Sequence, residues 1–252
     1  MDTKNVIAAI SLSAAVIILY SLFFAPTPSP EEIKRTQEQK NQTTQNSETP
    51  SLDVSENISK ISRKESIKEN ERIEFENENI KGSISLLGGT IDDLLFKKYT
   101  KTLNGEDQIV LLNQKKVANG YFVETGWVTN NKNIDLPDSK TLWNVKGNNK
   151  LSPNNPIKLV WNNSQGIEFQ KKIKIDNQFL FTIDQKITNN SENTYDFYSY
   201  GQIIRNEAPE VTKFYILHEG LIGVFDEQLV EKDYEDIKEK KFSQNAQSGW
   251  LG

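Results

Sequence analysis

Two consecutive runs in which apolar and polar residues alternate constrain the fold of this chain most strongly. The first run puts five side chains on one face of a strand: Ile167, Phe169, Lys171, Ile173 and Ile175. After a turn sequence at residues 176–178, the second run continues the alternation with Phe179, Phe181, Ile183, Gln185 and Ile187. Successive side chains of a strand point to opposite faces, so this period of two predicts a long β-hairpin with one buried face.

Further short strands are predicted on both sides of that hairpin. The candidates are residues 72–80, 82–87, 121–128, 157–161 and 195–204. Residues 213–218 and 221–226 are predicted to form a second hairpin around Glu219 and Gly220, and the spacing of Val230, Tyr234 and Ile237 predicts a short helix. About ten strands without a long helix are typical of an all-β fold, either a sandwich or a barrel.

The segment Val6–Phe24 is free of charged residues over 19 positions. A helix of that length reaches roughly 28 Å, which is close to the thickness of the hydrocarbon core of a bilayer. A cleaved signal peptide has a shorter apolar core, and a small residue lies two positions before its last residue. If Ala25 were that last residue, the residue two positions earlier would be Phe23, which is large, and Pro26 would follow the cleavage site. We therefore predict an uncleaved transmembrane anchor over residues 1–25, with the rest of the chain outside the cytoplasm.

Residues 26–70 have the composition of a disordered tether. Pro26, Pro28 and Pro30 are followed by a stretch rich in polar and charged residues, and no aromatic residue occurs between Phe24 and Phe75. Such a segment buries too little apolar surface to fold by itself. The alternating strands and the aromatic residues all lie beyond it, so residues 71–252 are predicted to form the folded domain.

The composition excludes several kinds of chemistry. The chain has no cysteine and one histidine, His218, which leaves few ligands for a zinc site and excludes disulfides. With 35 acidic and 30 basic residues it has no excess of positive charge, so nucleic acid is not an expected partner. No phosphate-binding or nucleophile motif is present, and the glycines Gly82, Gly88 and Gly89 are interpreted as turn residues between strands.

Two groups of residues could still carry chemistry. Asp92 and Asp93 could form an acid/base pair or bind a cation, but neighbours on a strand point to opposite faces, which favours a solvated turn. His218 could act as a base with Glu219, although a histidine at a strand end beside a turn is favoured. Among the tryptophans, Trp143 and Trp161 are expected in the core, and Trp127 could be in the core or stack on a carbohydrate. We therefore predict no catalytic residue, no cofactor-binding residue and no metal ligand.

The order of these features resembles the bacterial YidC family of membrane protein insertases. Residues 1–5 leading into an apolar span, followed by a polar tether, are similar to the N-termini of that family. Ile80–Leu95 resembles its strand, double-glycine turn and strand. Lys213–Phe225 and the closing residues Gly249–Gly252 resemble segments near the end of its periplasmic domain.

The resemblance implies a large twisted β-sandwich similar to sugar mutarotase domains, located in the periplasm and held to the inner membrane by one span. It implies a non-enzymatic role in the insertion, folding and assembly of inner-membrane proteins, alone or with the Sec translocon and its accessory subunits. The partners would be nascent inner-membrane proteins. The family continues into five further membrane helices that receive the client, so we expect this chain to be a fragment or the product of a split gene. The alternative is an anchored carbohydrate-binding or mutarotase-like sandwich, against which the single histidine argues.

Overall fold

A computed structural model describes residues 61–117, 119–208 and 217–252 of the protein. The predicted anchor, the tether up to residue 60 and residues 213–216 of the second predicted hairpin lie outside the described residues. Within the described ranges, no helix is both long enough and apolar enough to cross a bilayer.

The described chain consists mainly of β-strands. The strands, numbered in chain order, are β1 Arg72–Glu76, β2 Ile80–Ser85, β3 Thr90–Thr100, β4 Gln108–Leu112, β5 Tyr121–Val128, β6 Asn144–Lys146, β7 Lys150–Leu151, β8 Ile157–Asn162, β9 Ile167–Ile175, β10 Phe181–Asn189, β11 Tyr198–Arg205, β12 Gly220–Phe225, β13 Gln228–Asp233 and β14 Gly249–Leu251. The two short helices are α1 Arg63–Ser66 and α2 Tyr234–Glu239. The expectation of an all-β fold is confirmed.

These strands form three sheets. A seven-stranded sheet has the order β11-β5-β3-β2-β1-β7, with β4 paired to β3, and a four-stranded sheet has the order β10-β9-β8-β6. A small sheet with the order β13-β12-β14 contains the last strands of the chain. The first two sheets share one hydrophobic core, so the expectation of a β-sandwich is confirmed.

The long hairpin predicted from the alternation is present as β9 and β10. Its strands pair antiparallel from Phe181 opposite Ile175 to Asn189 opposite Ile167. Every second residue of β9, from Ile167 to Ile175, is buried. These side chains meet the larger sheet, where the ring of Phe169 lies 5.2 Å from that of Trp127. The period of two therefore identified the inward face correctly.

The second predicted hairpin is partly wrong. Residues 220–225 form a strand as expected, but its antiparallel partners are β13 and β14, which both follow it in the chain. The turn lies at Asp226 and Glu227, both of which have positive φ. The predicted helix is present as α2, but Val230 belongs to β13 because its pairing with Gly223 outweighs the helical spacing.

A short segment before residue 71, Ser62–Asn70, contacts the sandwich and is called the strap below. Glu65 and Ser62 form a capping box at the start of α1. Ser66 is buried, Arg63 forms an ion pair with the buried Asp93, and Lys116 lies 3.1 Å from Glu69. These contacts lie on the N-terminal side of the domain boundary that the composition predicts.

A fragment of residues 71–252 is expected to fold with one cooperative unfolding transition, because the core residues lie within it. It is expected to be less stable than a fragment of residues 61–252 by about 1–3 kcal/mol, because Asp93 then loses its charged partner. Urea unfolding of both fragments measures the difference. Equal stabilities would show that the strap contributes nothing, and a disordered 71–252 fragment would place the boundary earlier.

Candidate functional site

Asp92 and Asp93 lie in strand β3 and are buried, with 7% and 5% of their surface exposed. The interpretation of these residues as a solvated turn was therefore wrong. The register between β2 and β3 shifts after Ser83, which lies opposite Asp93, so that Ile84 lies opposite Ile91 and Asp92 is the extra residue of a β-bulge. The bulge removes the strict alternation on which the interpretation depended.

The two carboxylates are joined in one buried network. Arg72 forms an ion pair with Asp92 and donates from Nε to the Ser83 hydroxyl at 2.7 Å. The Ser83 hydroxyl in turn donates to Asp93 at 2.6 Å, and Asp93 pairs with Arg63 of the strap. Burial raises the pKa of the Asp92 carboxyl in spite of the opposing effect of the Arg72 guanidinium. The network binds the strap to the sheet, and its acids are occupied by protein partners.

Lys171 is a further buried charge that alternation placed on the inward face of β9. Its exposed fraction is 2%, and its Nζ donates to the Thr125 carbonyl at 2.6 Å. The ammonium also lies 4.8 Å from the centre of the Trp143 ring. Burial lowers the pKa of Lys171 to about 8, although the nearby Glu124 raises it. The side chain therefore connects the two sheets through one hydrogen bond and one aromatic contact.

His218 lies two residues before the start of β12, and its ring contacts residues of the small sheet rather than Glu219. Its Nδ1 is 3.2 Å from the Asp233 carboxylate, and its Nε2 is 3.2 Å from the Leu221 carbonyl. Both ring nitrogens therefore have partners within the small sheet. In the described ranges, no group of three or more His, Cys, Asp or Glu side chains is arranged to hold a metal ion.

The tryptophans separate into core and surface residues. Trp143 and Trp127 are 2% and 5% exposed, and Trp161 packs against the same core. The core positions predicted for Trp143 and Trp161 are confirmed, and Trp127 belongs with them. Trp250, on β14, is 55% exposed.

A mainly apolar groove of about 810 Å³ lies beside strands β5 and β11. The groove is called the apolar groove below. One wall consists of Tyr121, Val123 and Ile203 from strands β5 and β11 of the larger sheet. The other wall consists of Leu221 and Leu251 from the small sheet, together with Tyr234 and Ile237 from α2. Arg205, Glu207 and Lys238 provide charge among the groove residues.

Sequence reasoning missed the apolar groove because its two walls are separated by many residues in the chain. Alternation in β11 gave a weak signal, since Ile203 and Ile204 are adjacent and cannot both face the core. Ile204 is buried and Ile203 is 53% exposed. An exposed apolar residue within a strand was therefore the local indication of a second apolar surface.

The sandwich and the apolar groove define a β-sandwich domain with a concave surface between its main sheet and an accessory sheet. A family model described as the YidC periplasmic domain matches residues 72–252. The chain is 58% identical over 251 residues to the membrane protein insertase YidC of Pelagibacter ubique (strain HTCC1062), an alignment that covers 100% of this chain and 45% of that protein. It is 38% identical to the protein of the same name from Rickettsia prowazekii (strain Madrid E), covering 98% of this chain and 44% of the relative.

The chain belongs to the YidC family and contains that family's periplasmic domain. A third relative, the membrane protein insertase YidC of Mesorhizobium japonicum, is 34% identical over 207 residues, which are 81% of this chain and 34% of the relative. The resemblance seen in the sequence is thus confirmed. The chain spans less than half the length of these relatives.

Proposed function

We propose that this chain forms the N-terminal and periplasmic part of a membrane protein insertase that aids the insertion, folding and assembly of inner-membrane proteins. The observation that carries the proposal is the 58% identity to a protein named membrane protein insertase, which extends over all of this chain. Because the chain spans 45% of that relative, its contribution is only part of the activity. The proposed contribution is a periplasmic surface, and the insertion step itself requires other segments.

The physical reason for this division lies in the membrane. Transfer of a polar segment needs a hydrated and partly charged surface within the bilayer, since an unpaired charge there costs at least about 2.5 kcal/mol. Val6–Phe24 contains three serines and no charge. A single helix of this composition cannot enclose a polar groove, so the polar surface must come from further helices.

In the proposed arrangement, residues 1–25 span the inner membrane once, residues 26–70 form a tether whose last part, the strap, packs on the sandwich, and residues 71–252 lie in the periplasm. The apolar groove is the proposed contact face for an apolar segment of a nascent membrane protein, because its lining is mainly apolar and it is open at the surface. The Sec translocon and its accessory subunits are the proposed partners that deliver such segments.

The location can be tested with protease added to right-side-out spheroplasts. The protease is expected to cut the tether and release the β-domain, because a periplasmic tether without a stable fold is accessible. A cytoplasmic protein of the same cells is the control for membrane integrity. Full protection of the domain would contradict the proposed orientation.

The division of labour can be tested by complementation of cells depleted of their own insertase. We expect no rescue by residues 1–252 alone, and rescue by a chimera in which the remaining part of the Pelagibacter relative follows residue 252. Rescue by the chain alone would contradict the proposal.

In the chimera, a photo-reactive residue at Ile203 of the apolar groove is expected to cross-link to a nascent client. The same residue at Leu103, which is 93% exposed and lies between β3 and β4, is the matched control.

A further inference from the structure

A second concave surface lies between the strap and the larger sheet, on a different part of the domain from the apolar groove. This polar cleft has a volume of about 230 Å³. Leu87 is its one apolar lining residue. The others are polar or charged: Ser66, Glu69, Asn70, Arg72, Ser85, Thr90, Asp92, Gln114, Lys115, Lys116, Glu124, Ser139 and Lys140. The polar cleft is thus suited to a small, water-soluble ligand group.

Gln114 provides an unused hydrogen-bond acceptor in the polar cleft. Its side chain is buried, with 4% of the residue exposed, and its Nε2 donates to the Asp92 carbonyl at 3.0 Å. That bond fixes the orientation of the amide, because the Asp92 carbonyl can only accept. The Oε1 atom of Gln114 is buried and has no partner in the protein. A buried acceptor of this kind is stabilised by a ligand that donates a hydrogen bond, such as a hydroxyl group.

The side chains that line the polar cleft include four positive and three negative groups, which leaves an excess of one positive charge. Arg72 is paired with Asp92, and Lys116 is paired with Glu69. Glu124 accepts a hydrogen bond from Gln202 and lies close enough to Lys171 to influence its charge. Within the described residues, Lys115 and Lys140 form no salt bridge, so their ammonium groups can both face an anionic ligand.

We propose that the polar cleft binds a small hydroxylated phosphate, with the phosphate between Lys115 and Lys140 and a hydroxyl group donating to Gln114 Oε1. The two lysines supply the positive charge that a phosphate requires, and the glutamine distinguishes a hydroxylated phosphate from inorganic phosphate. The ligand chemistry is that of glycerol phosphate, which occurs both as a free metabolite and in the headgroup of phosphatidylglycerol. The strap forms one wall of the cleft, so the bound ligand also contacts Ser66 and Asn70.

The proposal is tested by calorimetric titration of the full chain in detergent with glycerol 3-phosphate, inorganic phosphate and glycerol. Glycerol 3-phosphate is expected to bind most tightly, by about fivefold over inorganic phosphate, because its carbon-bound hydroxyl group can extend to Gln114 Oε1 while its phosphate lies between the two lysines, a distance that the P–OH group of inorganic phosphate does not span. Lys140→Ala is expected to weaken both phosphates by about fivefold. Lys241→Ala, a lysine outside the cleft, is the matched control and leaves both affinities unchanged.

The role of the glutamine is tested by Gln114→Met, which keeps the length of the side chain and removes the acceptor. It is expected to abolish the preference for glycerol 3-phosphate and to leave the binding of inorganic phosphate unchanged. If this variant does not fold, Lys115→Ala on the surface of the cleft tests the charge independently. Equal binding of the two phosphates by the wild-type chain, or affinities that neither lysine variant changes, would overturn the proposal.

The source of the ligand is distinguished by vesicles. The 61–252 fragment is mixed with vesicles that contain phosphatidylglycerol and with vesicles of phosphatidylcholine alone. Binding to the first but not to the second, and its loss in Lys140→Ala, indicates a lipid headgroup. Binding of soluble glycerol 3-phosphate without vesicle binding indicates a free metabolite. Both results support the cleft as a hydroxylated-phosphate site. Because the titration does not involve client insertion, its failure would leave the proposed insertase role intact.

Discussion

Replacing Arg72 with methionine is expected to lower the free energy of unfolding of the 61–252 fragment by about 3–5 kcal/mol. The side chains of Arg72 and Asp92 are only 8% and 10% exposed. Removal of the guanidinium leaves a buried carboxylate without its charged partner and also removes a hydrogen bond to Ser83. The cost arises mainly from that isolated charge, since breaking a buried pair exposes the desolvation penalty that the pair had offset.

A double variant tests this explanation. Arg72→Met combined with Asp92→Leu removes both charges, so it is expected to be more stable than Arg72→Met alone, in spite of carrying one more substitution. Lys174→Met is the matched control, because Lys174 and Asp184 form an ion pair on the surface with exposures of 44% and 53%. That substitution is expected to cost less than about 1 kcal/mol. Urea unfolding measures all four proteins, and a small effect of Arg72→Met would show that the network is not a stabilising element.

The sandwich could be predicted from the sequence wherever one face of a strand is buried and the other is solvated. The run from Ile167 to Ile175 is the clearest case, because its alternation gives both the type of structure and the inward face. Trp143 and Trp161 could likewise be assigned to the core from the apolar residues around them. In each case the residues that identify the buried face are neighbours in the sequence, so the prediction did not depend on knowing the tertiary structure.

The Asp92–Asp93 network could not be predicted because it depends on an irregularity of pairing. Regular alternation puts the two carboxylates on opposite faces, whereas the bulge at Asp92 allows both to be buried. Their partners Arg63 and Arg72 come from a helix and a strand whose positions are set by tertiary packing. A glycine at position 82 is part of the same arrangement, since an added Cβ would collide with the Asp93 carbonyl. None of these contacts leaves a periodic signal.

The apolar groove and the polar cleft were missed for a related reason. Each is formed by residues that are distant in the chain, so neither gives a motif with a fixed spacing. The groove is lined by Val123 of β5 and Leu251 of β14, and the cleft by Ser66 of the strap and Lys140 of a loop. The resemblance to the YidC family implied the fold and the role but carried no site residue. The positions of both surfaces therefore follow only from the structure.

Lys171 is expected to make the free energy of unfolding of the domain rise as the pH increases from about 8 to about 10. The residue is buried, and its pKa falls from 10.5 in the unfolded chain to about 8 in the folded protein. Between these two values the unfolded chain binds the proton more often than the folded protein, so the free energy of unfolding rises with pH. Below pH 8 both states are protonated and the full cost of burying the charge is present. The difference in pKa corresponds to about 3 kcal/mol, most of which is recovered by pH 10.

Lys171→Met is expected to remove this dependence on pH, because methionine occupies a similar volume without a titrating group. The informative quantity is the free energy of unfolding of the wild-type fragment minus that of the variant, measured by urea unfolding at intervals from pH 7 to pH 10. This difference is expected to rise by about 2–3 kcal/mol in favour of the wild type. Lys172→Met is the matched control, since Lys172 is the next residue of β9 and lies on the less buried face. For this control, the free energy of unfolding of the wild-type fragment minus that of the variant is expected not to rise with pH. Subtracting the two free energies cancels the contributions of the other titrating groups, which are present in both proteins. These groups include the other lysines and Tyr200, since burial raises the pKa of Tyr200. A difference that stays constant with pH would show that Lys171 keeps an ordinary affinity for its proton inside the sandwich, and that the Thr125 carbonyl and the Trp143 ring compensate for its burial.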